Sequence, residues 1–308
     1  MDNAPTGPVA SHLVSYQAAA LLASTAWAFG GLISAKPSRV LGGARFTRAR
    51  MGLVTVILAL GGWLAGGWST VERSDLWPLI LSGLIGLGIG DVALFEAFAR
   101  LGPRRTGMLF TTTAPMAALL SAIFLGERFS AQVIIGSLLV LVGIVFAIAF
   151  GTKPGQSHTW EDVKGDFRVG ILFGLLGALG QAVGLVIADP VFDGTLDVWA
   201  GGAVRAIAGT IGLWLLVPIL LHRRPQTGTL DARLWRLLVI SAIVGMVVGK
   251  TSLLYALTEG DPGVVSVLAG VAPVIQLPLI WVVTRRAPAI GAWVGAVIAV
   301  AGTALIVL

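Results

Sequence analysis

Ten apolar runs of about 20 residues follow one another along the chain, at about 16–35, 49–68, 77–99, 106–125, 132–150, 169–188, 199–221, 237–257, 263–283 and 289–308. A helix of that length matches the hydrocarbon thickness of a bilayer. Inside lipid every backbone polar group must be satisfied within its own segment, so each run is predicted to be an α-helix. None of the runs has the polar face that a soluble helix would show to water. Charged residues make up only 12% of the 308, against about 25% in a soluble domain. The predicted fold class is an all-α integral membrane protein with ten transmembrane helices.

The runs form two halves. A short polar tail, 1–15, precedes a first set of five helices over 16–150. The stretch "GTKPGQSHTWEDVKGDFR", 151–168, is polar with Pro and Gly and reads as a linker to a second set over 169–308. The tail has no Lys or Arg, so it lacks the basic start of a secretory signal, and the first run is predicted to be retained.

The two halves repeat each other. "DLWPLILSGLIGLGIGDVALFEAFARLGP" (75–103) matches "RLWRLLVISAIVGMVVGKTSLLYALTEGDP" (233–262), which places Gly86 on Gly245, Gly90 on Gly249 and Asp91 on Lys250. "TTTAPMAALLSAIFLGER" (111–128) matches "AGVAPVIQLPLIWVVTRR" (269–286), with Pro115 on Pro273, and Arg50 falls on Arg205. Five crossings are an odd number, so the second copy must lie upside down relative to the first. Inverted repeats of this kind build many secondary transporters.

The charges follow the inversion. In the first half the basic loops come after helices one and three, with Lys36, Arg39, Arg45, Arg48, Arg100, Arg104 and Arg105. In the second half they come after helices seven and nine, with Arg223, Arg224, Arg233, Arg236, Arg285 and Arg286. These loops share one side, which the positive-inside rule makes cytoplasmic, with both termini outside. Trp68, Trp77, Trp160, Trp199 and Trp235 sit near helix ends, as interfacial aromatics do. The glycines of helix six (Gly170, Gly174, Gly177, Gly180, Gly184) and the Gly291/Gly295 pair of helix ten read as close-packing positions.

Several chemistries have no material here. The formal net charge of +6 resides in loops between apolar runs, not on a basic face for nucleic acid. There is no cysteine, and the three histidines, His12, His158 and His222, fall in loops, so no metal site and no cofactor are expected. No phosphate-binding GxxxxGK[ST] motif is present, so ATP hydrolysis by the chain itself is not expected. Nothing resembles a catalytic constellation near an interface, and the chain is not expected to be an enzyme.

Ionisable residues at membrane depth are costly and mark function by default. Asp91 and Lys250 each lie roughly 5 Å beyond the midplane of their helix, on opposite sides, hence about 10 Å apart along the membrane normal. They neutralise each other across the bundle, or flank a cavity and bind the ends of a polar metabolite, or Asp91 carries a coupling proton; one of them reaching a water-filled vestibule is a further reading. Glu96 with Arg100 at i+4 reads as an exposed helix-end pair. Arg50 and Arg205, about one turn inside their helices, read as snorkelling to head groups.

Among neutral polar residues, Thr112 in "TTTAP" precedes the helix-kinking Pro115, and Gln276 follows Pro273 at the matching place. A proline frees a carbonyl that Thr hydroxyls can satisfy, so the segment is either an internally bonded kink or a cavity wall. Trp27, Gln181 and Tyr255 are further candidate liners.

Two five-helix repeats, a proline within helices four and nine, and "LGERFSAQVIIGSLLVLVGI" (125–144) with its Gly126–Glu127 pair resemble the EamA-type branch of the drug/metabolite transporter superfamily. The resemblance spans about 16–308. It implies a central cavity lined by helices one, three, four, six, eight and nine, with five and ten peripheral. Two features depart from the pattern: Arg285 stands at the place of Glu127 in the second repeat, and relatives often keep both termini in the cytoplasm. The chain is expected to move a small polar or amphipathic, amino-acid-like metabolite by alternating access, as an exporter driven by protons or exchange. The alternative is a passive channel or a non-transporting scaffold subunit. Its expected partners are a small-molecule substrate, the lipid bilayer and protons, without nucleic acid, in a monomer or homodimer. Because only four of the 21 basic residues are Lys, the gene reads as GC-rich and bacterial, and the location expected is the inner (plasma) membrane.

Overall fold

The computed structural model describes residues 9–126, 130–151, 163–192, 195–220, 231–259 and 262–308. Glu127, Arg128, His158, His222, Arg223, Arg224 and most of the linker lie outside them, as does the His12 side chain. Among the described residues there is no strand. The first half comprises α1 (Val9–Leu41), α2 (Gly43–Leu64), α3 (Arg73–Leu101), α4 (Pro103–Phe124) and α5 (Ala131–Ala149). In the second, α6 spans Phe167–Ala188, α7 Val198–Leu220 and α10 Ile290–Val307. Between α7 and α10 stand α8, built of Ala232–Ala242, Ile243–Val248 and Gly249–Glu259, and α9, built of Pro262–Gly270 and Ala272–Thr284. Nine helices are long and apolar enough to cross a membrane over the described residues. The tenth, α2, has 22 residues but opens with Arg45, Arg48 and Arg50.

The inverted repeat is visible in local backbone. α3 widens into a π-helix over Gly83–Gly90 and returns to α-helix at Asp91; α8 widens over Ile243–Val248 and returns at Gly249, next to Lys250. Such wide turns are rare and concentrate at functional sites. α4 and α9 are each interrupted one turn or less before their proline, at Thr111–Thr112 and at Val271.

The halves interlock. α1 packs on α8 and α9 of the second repeat, while α6 packs on α3 and α4 of the first. Glycine permits the closeness: a Cβ on Gly30 of α1 would meet the Cα of Gly245 at 3.0 Å, and one on Gly184 of α6 would meet the Cα of Gly86 at 3.0 Å. α5 packs chiefly on α10, where a Cβ on Gly143 would come within 2.6 Å of the Ala299 nitrogen. The outer face of α5 exposes Ile134, Leu138, Leu141 and Val145, the aliphatic surface that suits lipid. The expectation that five and ten are peripheral therefore agrees with the packing.

α2 and α7 pack together along the centre, around Met51, Val54, Leu58, Ala203, Ala206 and Leu213. Thr55 and Thr210 stand five residues beyond the matched Arg50 and Arg205, and their hydroxyls bond each other at 2.8 Å. A contact between equivalent residues marks the pseudo-two-fold axis relating the repeats. Thr55→Val is expected to cost about 1 kcal/mol by leaving the Thr210 hydroxyl unpaired. Thr55→Val with Thr210→Val should cost less than the sum of the singles, as an unfolding double-mutant cycle in detergent would show.

Candidate functional site

The axis organises the ionisable residues at membrane depth. Arg50 on α2 and Arg205 on α7 lie five residues to either side of it, which separates their backbones by about 15 Å along the helices. Both are 6% exposed. The snorkelling expectation fails for both: they point into the bundle, because each is opposite a glycine of the other repeat. A Cβ on Gly245 would stand 3.3 Å from an Arg50 Nη2, and one on Gly86 would stand 3.8 Å from the Arg205 Nη2. These are the glycines matched in sequence, so each arginine fills the space that the wide turn of the facing repeat leaves open.

Asp91 is 4% exposed and its partner is Arg50, with Nη1 at 3.7 Å from Oδ2. Gln181 of α6 donates from Nε2 to Asp91 Oδ1 at 2.7 Å and to the Gly86 carbonyl at 3.0 Å. The Arg50 guanidinium lies 5.0 Å from the ring centre of Phe95, which contacts Phe46 edge-on at 4.7 Å and stacks with Phe98 at 5.7 Å. Arg50 thus has a carboxylate and an aromatic face, and α2, α3 and α6 are joined through it. The Thr47 hydroxyl lies in the same seam, donating to the Gly43 carbonyl at 2.8 Å and approaching the Asp91 carbonyl at 3.4 Å.

Lys250 is half-buried on α8. Among the described residues Asp91 makes no ion pair with Lys250, so direct neutralisation across the bundle is replaced by the Arg50 pair. The four groups still form one cluster, with Arg50 against Asp91 and with Lys250 and Arg205 at longer range. Trp27 of α1 covers the neighbouring turn, since a Cβ on Gly249 would meet its Nε1 at 2.5 Å. Gln181 occupies the corresponding place on α6, where a Cβ on Gly90 would meet its backbone nitrogen at 3.3 Å. The repeats have therefore put an indole and an amide at matching positions beside Lys250 and Asp91.

The remaining candidates divide. Gln276 is 4% exposed and buried against Gly31 and Gly107, with its amide facing both. Thr112 is 2% exposed and its hydroxyl donates to the Leu109 carbonyl at 2.7 Å. Thr111 and Thr113 donate likewise to Met108 and Phe110, so the internally bonded kink describes this segment, with Pro115 half-buried and Pro273 buried. Tyr255 is 48% exposed and, five residues beyond Lys250, faces about 140° away from it around α8. The structure does not bring it to the cluster.

Glu96 is not the exposed pair expected. It is 9% exposed, accepts from the Gly43 backbone N–H at 3.1 Å and pairs with Arg100. Gly43 begins α2, so the carboxylate caps that helix and meets the positive end of its dipole. It also holds α2 and α3 at the distance that the Arg50–Asp91 pair requires.

What sequence reasoning missed is the contribution of α2 and α7. The matched arginines were the available signal, and so was the "TRARM" start of α2, but a basic residue one turn into a helix reads equally well as an anchor. Phe95 had no signal beyond being aromatic. Among the described residues no group of His, Cys, Asp and Glu is arranged to hold a metal.

Comparison with known proteins bears on the fold and the family. A crystal structure described only as "Crystal structure of protein" superposes with a TM-score of 0.65 at 20% identity, over 95% of this chain and 96% of its own. At that identity the likeness concerns the fold. Among curated proteins none matches. The model of the EamA-like transporter family matches residues 15–149 and again 168–308, once for each repeat. With both repeats matched, the chain belongs to the EamA-like transporter family.

Proposed function

We propose that the chain is a secondary transporter of a small polar metabolite, working by alternating access between its two repeats. One observation carries this reading. The buried charges occupy repeat-equivalent positions, Arg50 and Asp91 in one repeat and Arg205 and Lys250 in the other, and the Arg50–Asp91 pair is tied to the second repeat through Gln181, beside the pseudo-two-fold axis. A site placed there is released to one side or the other as the repeats rock, which is how inverted-repeat transporters work. The π-helical turns of α3 and α8 mark where these helices can change pitch without losing a whole turn of hydrogen bonds.

The finer parts of the proposal rest on chemistry and charge. The absence of a nucleotide-binding motif leaves an ion gradient or exchange as the energy source, and protons suit a site that contains a carboxylate. The distribution of Lys and Arg across the loops supports both termini outside, the excess of Arg over Lys supports a bacterial inner membrane, and export is the direction proposed. Asp91, Lys250, Trp27, Gln181 and Gln276 are the proposed contacts for substrate or coupling ion. Arg50 and Arg205 join them from the structure.

Counterflow in proteoliposomes tests the proposal. Vesicles loaded with a mixed pool of unlabelled amino acids, organic acids, sugars and nucleobases should transiently accumulate one labelled solute when the same class is inside. A pH gradient should raise the rate. Linear, unsaturable flux without counterflow would instead mark a channel. No flux above protein-free vesicles for any class would leave only the scaffold reading.

A further inference from the structure

The two repeats differ in charge at one pair of matched positions, and that difference leaves one half of the cluster incomplete. In the first repeat Arg50 is matched with an acid, Asp91, on α3. In the second repeat Arg205 has a lysine, Lys250, at the corresponding place on α8. Among the described residues the ion pairs are Arg50–Asp91 and Arg100–Glu96, and neither includes Arg205 or Lys250. By the repeat, Lys250 stands to Arg205 as Asp91 stands to Arg50, and here both residues are positive. The cluster therefore holds three cations and one carboxylate, and the carboxylate is occupied by Arg50 and Gln181.

Arg205 is 6% exposed, and its Nε, like that of Arg50, has no hydrogen-bond partner, but among the described residues no carboxylate pairs with it as Asp91 pairs with Arg50. A buried donor on a charged group is costly to leave unmade, and a buried charge normally has a counter-charge. Its Nη2 faces Gly86, where no side chain intervenes. A guanidinium with free donors beside an ammonium is the arrangement that recognises planar or tetrahedral oxyanions.

Resting on the transporter reading above, we propose that Arg205 and Lys250 form an anion subsite, and that the transported metabolite carries a carboxylate or phosphate bound between them. The anion takes the place that Asp91 occupies in the first repeat. Its charge relieves the repulsion between the two cations, and its oxygens accept from the Arg205 guanidinium and the Lys250 ammonium. Trp27, packed over Gly249 beside Lys250, supplies an apolar wall for the rest of the molecule.

The matched position suggests the test, because Lys250→Asp restores in the second repeat the residue type of the first. The purified protein in a neutral detergent is heated with succinate, a monocarboxylic amino acid, inorganic phosphate, glucose, a polyamine or phosphatidylglycerol. Soluble anions should raise the wild-type midpoint saturably. In Lys250→Gln the half-saturating concentration should rise about tenfold or more, the loss of one charge-assisted contact. Lys250→Asp should fold, start from a midpoint no lower than wild type, and ignore the anions, because its own carboxylate fills the subsite.

Stabilisation by glucose or the polyamine but not by anions would overturn the anion subsite and leave the transporter standing. An equal anion effect on all three proteins would overturn it too, since surface screening acts without Lys250. Stabilisation by phosphatidylglycerol alone would assign the cations to lipid and overturn the substrate. Silence from every compound, together with failed counterflow, would overturn the subsite and the transporter reading at once.

Discussion

Arg50→Ala is expected to lower stability by about 3–5 kcal/mol, the usual cost of removing one partner from a buried ion pair. The side chains of Arg50 and Asp91 are 7% and 5% exposed, so water cannot replace the lost guanidinium. Gln181 keeps one hydrogen bond to Asp91, but a neutral amide does not balance a buried carboxylate. The Phe46–Phe95–Phe98 stack would also lose the cation beside it. Arg50→Met with Asp91→Leu should recover most of the loss, since two apolar residues need no counter-charge. Unfolding in detergent, with size-exclusion profiles to confirm a folded particle, reads both variants. A single variant as stable as the wild type would mean that the pair is hydrated and contributes little to the fold.

Gly180→Val is the second large effect. A Cβ at Gly180 would stand 2.7 Å from the Cα of Gly90, and neither backbone can give way without moving its helix. The added side chain forces α6 away from α3, at a cost of about 1–3 kcal/mol or more for overpacking. The same displacement draws Gln181 off Asp91, one residue along α6. Gly295→Val makes a useful comparison. Its Cβ would collide as closely with the backbone of Gly143 and Ala147, but on α10, away from the charged cluster. Both variants should unfold earlier than wild type, measured as above. Among protein that remains folded, Gly180→Val should lose solute counterflow and Gly295→Val should retain it. Equal counterflow in the two would remove Gln181 from the site.

The helices were legible because lipid leaves a spanning segment one solution, and the inversion because five crossings reverse the chain. Asp91, Lys250 and Gln181 stood out because ionisable and amide groups are rare inside apolar runs. Arg50 and Arg205 were misjudged for a physical reason. An arginine has the reach to snorkel outward or to turn inward, and the choice depends on what the neighbouring helix presents. Here it presents Gly245 and Gly86, each on the other repeat and nearly 200 or more than 100 residues away along the chain. Glu96 was misread for the same reason: its i+4 arginine is local, but the Gly43 N–H that it caps belongs to another helix. By sequence the threonines before Pro115 suit a kink or a cavity wall equally, and local hydrogen bonding decides for the kink.

By itself the sequence determined that this is a two-repeat membrane protein and that its charges at depth fall on matched positions. Apolar length, the cost of an unpaired backbone in lipid and the parity of five crossings are properties of the chain alone. Which of those charges pair was decided only by the tertiary structure. Arg50 and Asp91 pair on neighbouring helices of the first repeat, while the glycine that gives Arg50 its space and the amide that holds Asp91 come from the second. The same sequence distance that matched Asp91 to Lys250 gave no means of seeing that Arg50 would reach Asp91 first.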